Sequence, residues 1–133
     1  MMNSQRYLAA LILVCLFASH SNADAPPTQD AASFNIRPNT PDDQTPAIQK
    51  YLDHVAKLGG GSAYLPPGQY TVQGSLRVPT AVSLAGSWET PHHGILTKGT
   101  VLLAYAGRGK EDGPALIELS PRSGVRGVTI CYP

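Results

Sequence analysis

Two short clusters hold most of the side chains that could do chemistry. Asp42 and Asp43 are adjacent carboxylates, a residue pair that sugar enzymes use as general acid and base or as calcium ligands. Both stand just before a helical pattern, where a carboxylate satisfies free backbone N–H groups and the positive end of the helix. Capping is therefore the reading their position favours. His92 and His93 share the polar loop 87–99 with Trp88 and Glu89, an assortment with metal-binding chemistry. Adjacent histidines project in different directions from an extended chain, however, and His54 lies in the helical pattern. The loop fits better as a surface beside a substrate groove. Trp88 there is either a platform that stacks on a sugar ring or a buried edge residue, and burial is its default.

Two glycine clusters invite comparison with phosphate sites. Gly59, Gly60 and Gly61 follow a helical pattern and precede a strand. A dinucleotide site needs the reverse order, with the phosphate at a helix N-terminus. The three glycines are expected to reverse the chain. The run 104–110, AYAGRGK, ends in Gly-Lys but lacks the following Ser or Thr, and Gly113-Pro114 forbids the helix that a phosphate loop requires. Cys131 lies in an apolar strand-like run, where an inert buried thiol is expected. No Gly-x-Ser-x-Gly elbow occurs. No catalytic set is identified, and an acid and base, if the whole protein is an enzyme, are expected after Pro133.

The elements that must position these groups begin with one helix. Thr45 is placed as its cap and Pro46 at its first position, where the missing donor costs nothing. Ile48, Tyr51, Leu52, Val55 and Leu58 then form one apolar stripe over 46–58, and Gly59 ends it in a left-handed conformation. Phe34-Asn35-Ile36 alternates like a short strand before Pro38 and Pro41 forbid pairing. Beyond the glycines, strands are expected at 62–65, 70–73, 76–78, 82–85, 101–105, 116–119 and 125–132, separated by turn residues. Leu76, Leu102 and Val128 recur at an interval of 26, a length that suits one coil of a β-solenoid.

The pieces Phe34-Asn35-Ile36, Asp42-Asp43-Gln44-Thr45-Pro46-Ala47-Ile48-Gln49, Gly59-Gly60-Gly61-Ser62-Ala63-Tyr64-Leu65-Pro66-Pro67-Gly68-Gln69-Tyr70, Leu76-Arg77-Val78-Pro79 and Val82-Ser83-Leu84-Ala85-Gly86 resemble the opening of pectate-lyase-like β-helix proteins. The rhamnogalacturonase and epimerase-like branch, related to polygalacturonases, is the most similar. The likeness covers 33–86 and extends loosely over 100–132. It departs at 36–41, where Ile-Arg-Pro-Asn-Thr-Pro replaces a glycine-rich stretch, so the entry strand is expected to be shaped differently. The resemblance implies a mostly β fold, a right-handed parallel β-helix whose open end is covered by one N-terminal amphipathic helix. It also implies a pectin- or uronan-degrading hydrolase or lyase, with a non-catalytic glycan-binding or structural β-helix as the alternative.

The first residues read as a secretory leader over 1–23, with Arg6 before an apolar run at 8–17 that contains Cys15. A flexible 24–33 follows, and 34–133 is expected to be the N-terminal part of a truncated domain. The run is too short to span a bilayer. Secretion is expected, and no membrane partner. Without Arg6 the cations and anions balance, which gives nucleic acid no purchase. Acidic polysaccharide is the expected partner and Trp88 the candidate substrate-binding residue. No cofactor is identified, calcium entering only if the whole protein is a lyase.

Overall fold

The computed structural model describes residues 30–90 and 96–133; the leader, Cys15, His92 and His93 lie outside them. Among the described residues the fold is mostly β, with one α-helix, and every strand pairing is parallel. The strands are β1 (Gly61–Leu65), β2 (Gly68–Val72), β3 (Leu76–Val78), β4 (Val82–Gly86), β5 (Thr100–Ala104), β6 (Ile117–Leu119), β7 (Gly124–Arg126) and β8 (Val128–Cys131). They fall into sheets of order β1-β4-β7, β2-β5-β8 and β3-β6. The chain thus visits three sheets in turn and returns to each beside its previous strand. Parallel neighbours with no crossover helix follow from these short pieces and frequent corners.

Each visit stacks side chains of one face above those of the last, because alternate residues of a strand point the same way. Ala63 meets Leu84 and then Val125; Tyr70 meets Leu102 and then Ile130; Leu76 meets Ile117. Ala63, Tyr70, Leu76, Leu84 and Leu102 are fully buried. At about 1.5–3 kcal/mol for each large apolar side chain, these columns are the principal stabilising element. The apolar face is less covered along the last-visited strands, where Ile130 is 45% exposed.

The interval of 26 is not the repeat. Leu76, Leu102 and Val128 stand in three different strands, and none pairs with another. Actual offsets vary from 21, Gly61 over Val82, to 41, Leu76 over Ile117. Corners of unequal length separate strands that nonetheless keep register. The single strand expected at 125–132 is broken at Gly127, whose φ is +66°. A Cβ there would lie 2.2 Å from the Gly86 carbonyl oxygen, so only glycine lets that corner pass the one before it.

The helix α1 (Thr45–Lys57) buries Ile48, Tyr51, Leu52 and Val55 as the stripe requires. Leu58 departs from it at 57% exposure. It is the C-terminal cap residue, past the last helical turn, and the reversal carries its side chain off the apolar face. The reversal satisfies two orphan carbonyls: Gly59 N–H donates to Ala56 and Gly60 N–H to Val55, both at 3.0 Å. Thr45 is not the cap. Gln44 occupies that position and makes no side-chain cap bond, while the Asp43 carboxylate accepts from the Thr45 N–H at 3.0 Å and its hydroxyl at 2.6 Å.

Before the helix, Ala31–Phe34 forms a 3-10 helix and Asn35 is left-handed at φ 60°, in place of the strand expected at 34–36. Phe34 packs its ring on Tyr51 and His54, with centroids 5.0 and 5.1 Å away. Burial in a small aromatic cluster outweighs the strand-like alternation of three residues.

Candidate functional site

The segment 37–44 contains two prolines that cannot donate a backbone bond, so its order comes from side chains. Buried Gln44 accepts from the Arg37 N–H at 2.9 Å and donates to the Asp42 carbonyl at 3.2 Å. This holds the segment against the outer edge of β2. Asn39, left-handed at φ 61°, pairs with Gln69 twice: its N–H donates to the Gln69 carbonyl at 2.7 Å, and its side-chain oxygen accepts the Gln69 N–H at 3.0 Å. Thr40 bridges Tyr70, and the Gln44 N–H donates to the Thr71 carbonyl at 2.8 Å.

The helix treats the neighbouring strand edges the same way. Gln49 spans Arg77, its oxygen accepting the N–H and its nitrogen donating to the carbonyl, both at 2.9 Å. The Tyr51 hydroxyl accepts the Tyr64 N–H at 3.2 Å. Thr45 accepts from the Gly74 N–H and Asp43 from the Gln73 N–H, both at 3.1 Å. Unpaired strand edges are a liability, and here polar side chains occupy them.

These constraints leave a groove of about 510 Å³ on the outer face of the β2-β5-β8 sheet, lined by Asn39, Thr40, Gln69, Thr71, Gln73 and Tyr105 with Pro41 and Leu103. Strand alternation explains the lining. Tyr70 and Val72 face the core, so Gln69, Thr71 and Gln73 face outward. The Thr71 hydroxyl donates to the Thr40 carbonyl at 3.3 Å and Gln69 Nε2 to the Leu96 carbonyl at 2.9 Å. The Gln73 side-chain amide has no hydrogen-bond partner among the described residues, so both its ends are available. Tyr105, 41% exposed, lies beside Gln73 just past the ends of β2 and β5, with the Arg108 guanidinium 5.7 Å from its ring centroid. Apolar surface and uncommitted amides in one groove suit hydroxyl-rich ligands.

The sequence-derived candidates are placed as follows. Asp43 is bound up in holding the helix start to the end of β2. Partial burial raises its pKa, but the bonds from Thr45 and Gln73 outweigh this and hold it below the usual carboxylate value. Asp43 thus has a structural task, while Asp42 contributes its backbone carbonyl to Gln44 and its carboxylate has no hydrogen-bond partner among the described residues. Trp88 is 58% exposed, not a buried edge residue. It sits at the root of loop 87–99, which is closed by Thr100 N–H to the Ser87 carbonyl at 2.7 Å and Ser87 N–H to the Thr100 hydroxyl at 2.9 Å. The 104–110 run is a turn following β5, and Arg108, Lys110 and Tyr132 line a separate hollow beyond Tyr105. Cys131 is half-buried rather than buried, in the outer column formed by Thr71 and Leu103. Burial raises the pKa of Tyr70 first, and the nearby Tyr64 second, to about 12; its hydroxyl is committed to the Pro66 carbonyl at 2.8 Å.

The groove was not legible as a site, because its lining comes from a proline-rich segment, two strands and the residue after each. The one signal was the outward Gln-x-Thr-x-Gln spacing of 69, 71 and 73.

A family profile described as rhamnogalacturonase A/epimerase, pectate lyase-like matches residues 30–106. Neither a curated protein nor a solved structure matches the chain. The profile spans the 3-10 helix, α1 and β1 to β5, with the whole lining of the groove, and connects the chain with polysaccharide at the level of the superfamily. Covering more than half of the 133 residues, it shows that the chain belongs to the rhamnogalacturonase A/epimerase, pectate lyase-like family.

Proposed function

We propose that the chain supplies the first coils of a secreted, right-handed parallel β-helix that acts on uronate-containing polysaccharide. In this reading α1 covers one end of the coil stack, and the polysaccharide lies along the outer face of the β2-β5-β8 sheet. The observation that carries it is the groove, where Asn39, Gln69 and Gln73 present amides and Tyr105 presents a ring on one surface. Sugar hydroxyls both donate and accept, and an amide answers both roles. The ring buries the apolar side of a pyranose. Exposed Trp88 offers a second platform on a neighbouring loop.

Cleavage by hydrolysis needs two carboxylates about the glycosidic bond, and β-elimination needs a base with a cation on the uronate. Among the described residues no carboxylate, histidine, lysine or arginine lines the groove. Calcium, which a lyase of this kind would use, does not fit the described residues: they hold no cluster of three or more ligating side chains, and Asp43 already accepts three hydrogen bonds. In this reading the described residues of the groove bind and orient the polysaccharide. The same lining favours a second reading, a glycan-binding β-helix that does not cleave.

Absorbance at the unsaturated-uronate band and reducing-sugar release, followed in parallel on polygalacturonate, separate the readings. A rise in the first marks a lyase, and a rise in the second alone marks a hydrolase. Silence in both with retained binding marks the non-cleaving form. Silence together with no binding refutes the polysaccharide reading.

A further inference from the structure

We infer that the groove of Asn39, Gln69, Thr71, Gln73, Leu103 and Tyr105 selects an uncharged sugar ring, an esterified uronate or a neutral hexose, over a free uronate. The inference deepens the proposed function and rests on it. A carboxylate that leaves water needs a cation or several donors in return, and the described residues of this lining include no cationic side chain. Among the described residues the charges that touch the lining are of opposite sign and flank its Gln73–Tyr105 end from two sides. Asp43 meets the Gln73 N–H at 3.1 Å, so a second carboxylate entering at that end would face a like charge. Arg108 flanks the same end from the β5 side, over the Tyr105 ring, where it lines a separate hollow with Lys110.

What the groove does offer is neutral. The Gln73 amide has neither its donors nor its acceptor engaged among the described residues. Asn39 accepts through its oxygen and keeps its NH2 group, while Gln69 donates through its nitrogen and keeps its oxygen. Two donor groups and two acceptors, uncharged and held by a backbone already paired to its neighbours, match hydroxyl and ester groups rather than an anion. Leu103 and Tyr105 supply the apolar floor against which an ester methyl or a ring face loses water.

A polygalacturonate oligomer and its full methyl ester share one backbone and differ in charge, so their affinities for the full chain, measured by calorimetry at two salt concentrations, decide the matter. The ester is expected to bind at least about fivefold more tightly, with little dependence on salt. Gln73→Ala and Tyr105→Ala should each weaken ester binding by about three- to tenfold. The Gln73 side chain has no partner to lose among the described residues, so that variant should keep the parental urea midpoint. Tighter binding of the free acid, or ester binding that neither substitution alters, overturns this inference and leaves the polysaccharide reading standing. Binding of neither oligomer overturns both.

Discussion

Replacing Gln49 tests whether side chains of the helix serve as the missing neighbour of a strand. The amide makes two 2.9 Å bonds with the Arg77 backbone, as a paired strand residue would, and a third at 3.0 Å to Asp53. A net backbone-type hydrogen bond is worth about 0.5–1.5 kcal/mol. Arg77 is exposed, so water replaces part of what Gln49→Ala removes, and the lower half of the range applies to each bond. The two bonds to β3 together predict a loss of about 1–2 kcal/mol. With a urea m-value of about 1–1.5 kcal/mol/M for a domain of this size, the midpoint should fall by about 1 M with no change in slope. Gln49→Glu keeps the acceptor for the Arg77 N–H but sets a carboxylate against its carbonyl, so it should be no better than alanine. Equilibrium urea unfolding, followed by circular dichroism and tryptophan emission, measures both. A midpoint within about 0.2 M of the parent would mean that the edge is held by packing alone, and the edge-pairing argument would fail.

Two further outcomes bear on the same end of the molecule. Leu52 is fully buried, so Leu52→Asp places an unpaired carboxylate in the core and should leave the chain unfolded or insoluble; a parental melting profile would remove the helix from the core. Partial burial raises the folded pKa of Asp43, but the hydrogen bonds from Thr45 and Gln73 hold it below the usual carboxylate value. Its contribution is therefore present above about pH 4 and is lost as pH falls toward the folded value. Asp43→Asn should be less stable than the parent at neutral pH and converge with it as acid protonates the parental carboxylate. Parallel acid-unfolding curves would contradict that role.

The sequence disclosed the elements better than their arrangement. The apolar spacing of Ile48, Tyr51, Leu52 and Val55 is a property of one helix, and Gly59 marks its end by a backbone angle that glycine adopts freely. Strand positions were likewise local: Leu76–Val78 is where the pattern puts it. Stacking is different. It depends on corner lengths, and a loop such as 87–99 alters the offset without altering either strand, so an apparent interval of 26 across Leu76, Leu102 and Val128 had no spatial meaning. The groove was harder still. Asn39 acts through its side chain on a residue 30 positions away, and no local pattern reports that. The burial expected by default of Trp88 and Cys131 failed for a related reason, since apolar character predicts burial only where a neighbouring element arrives to cover the residue.

The most direct test of the account is an amide hydrogen-exchange footprint of the full chain with and without methyl-esterified polygalacturonate. The account predicts slower exchange confined to the groove segments 39–41, 69–73 and 103–105, with α1 and β3 unaffected. Protection centred on another face, with those three segments unchanged while the polysaccharide is bound, would contradict it.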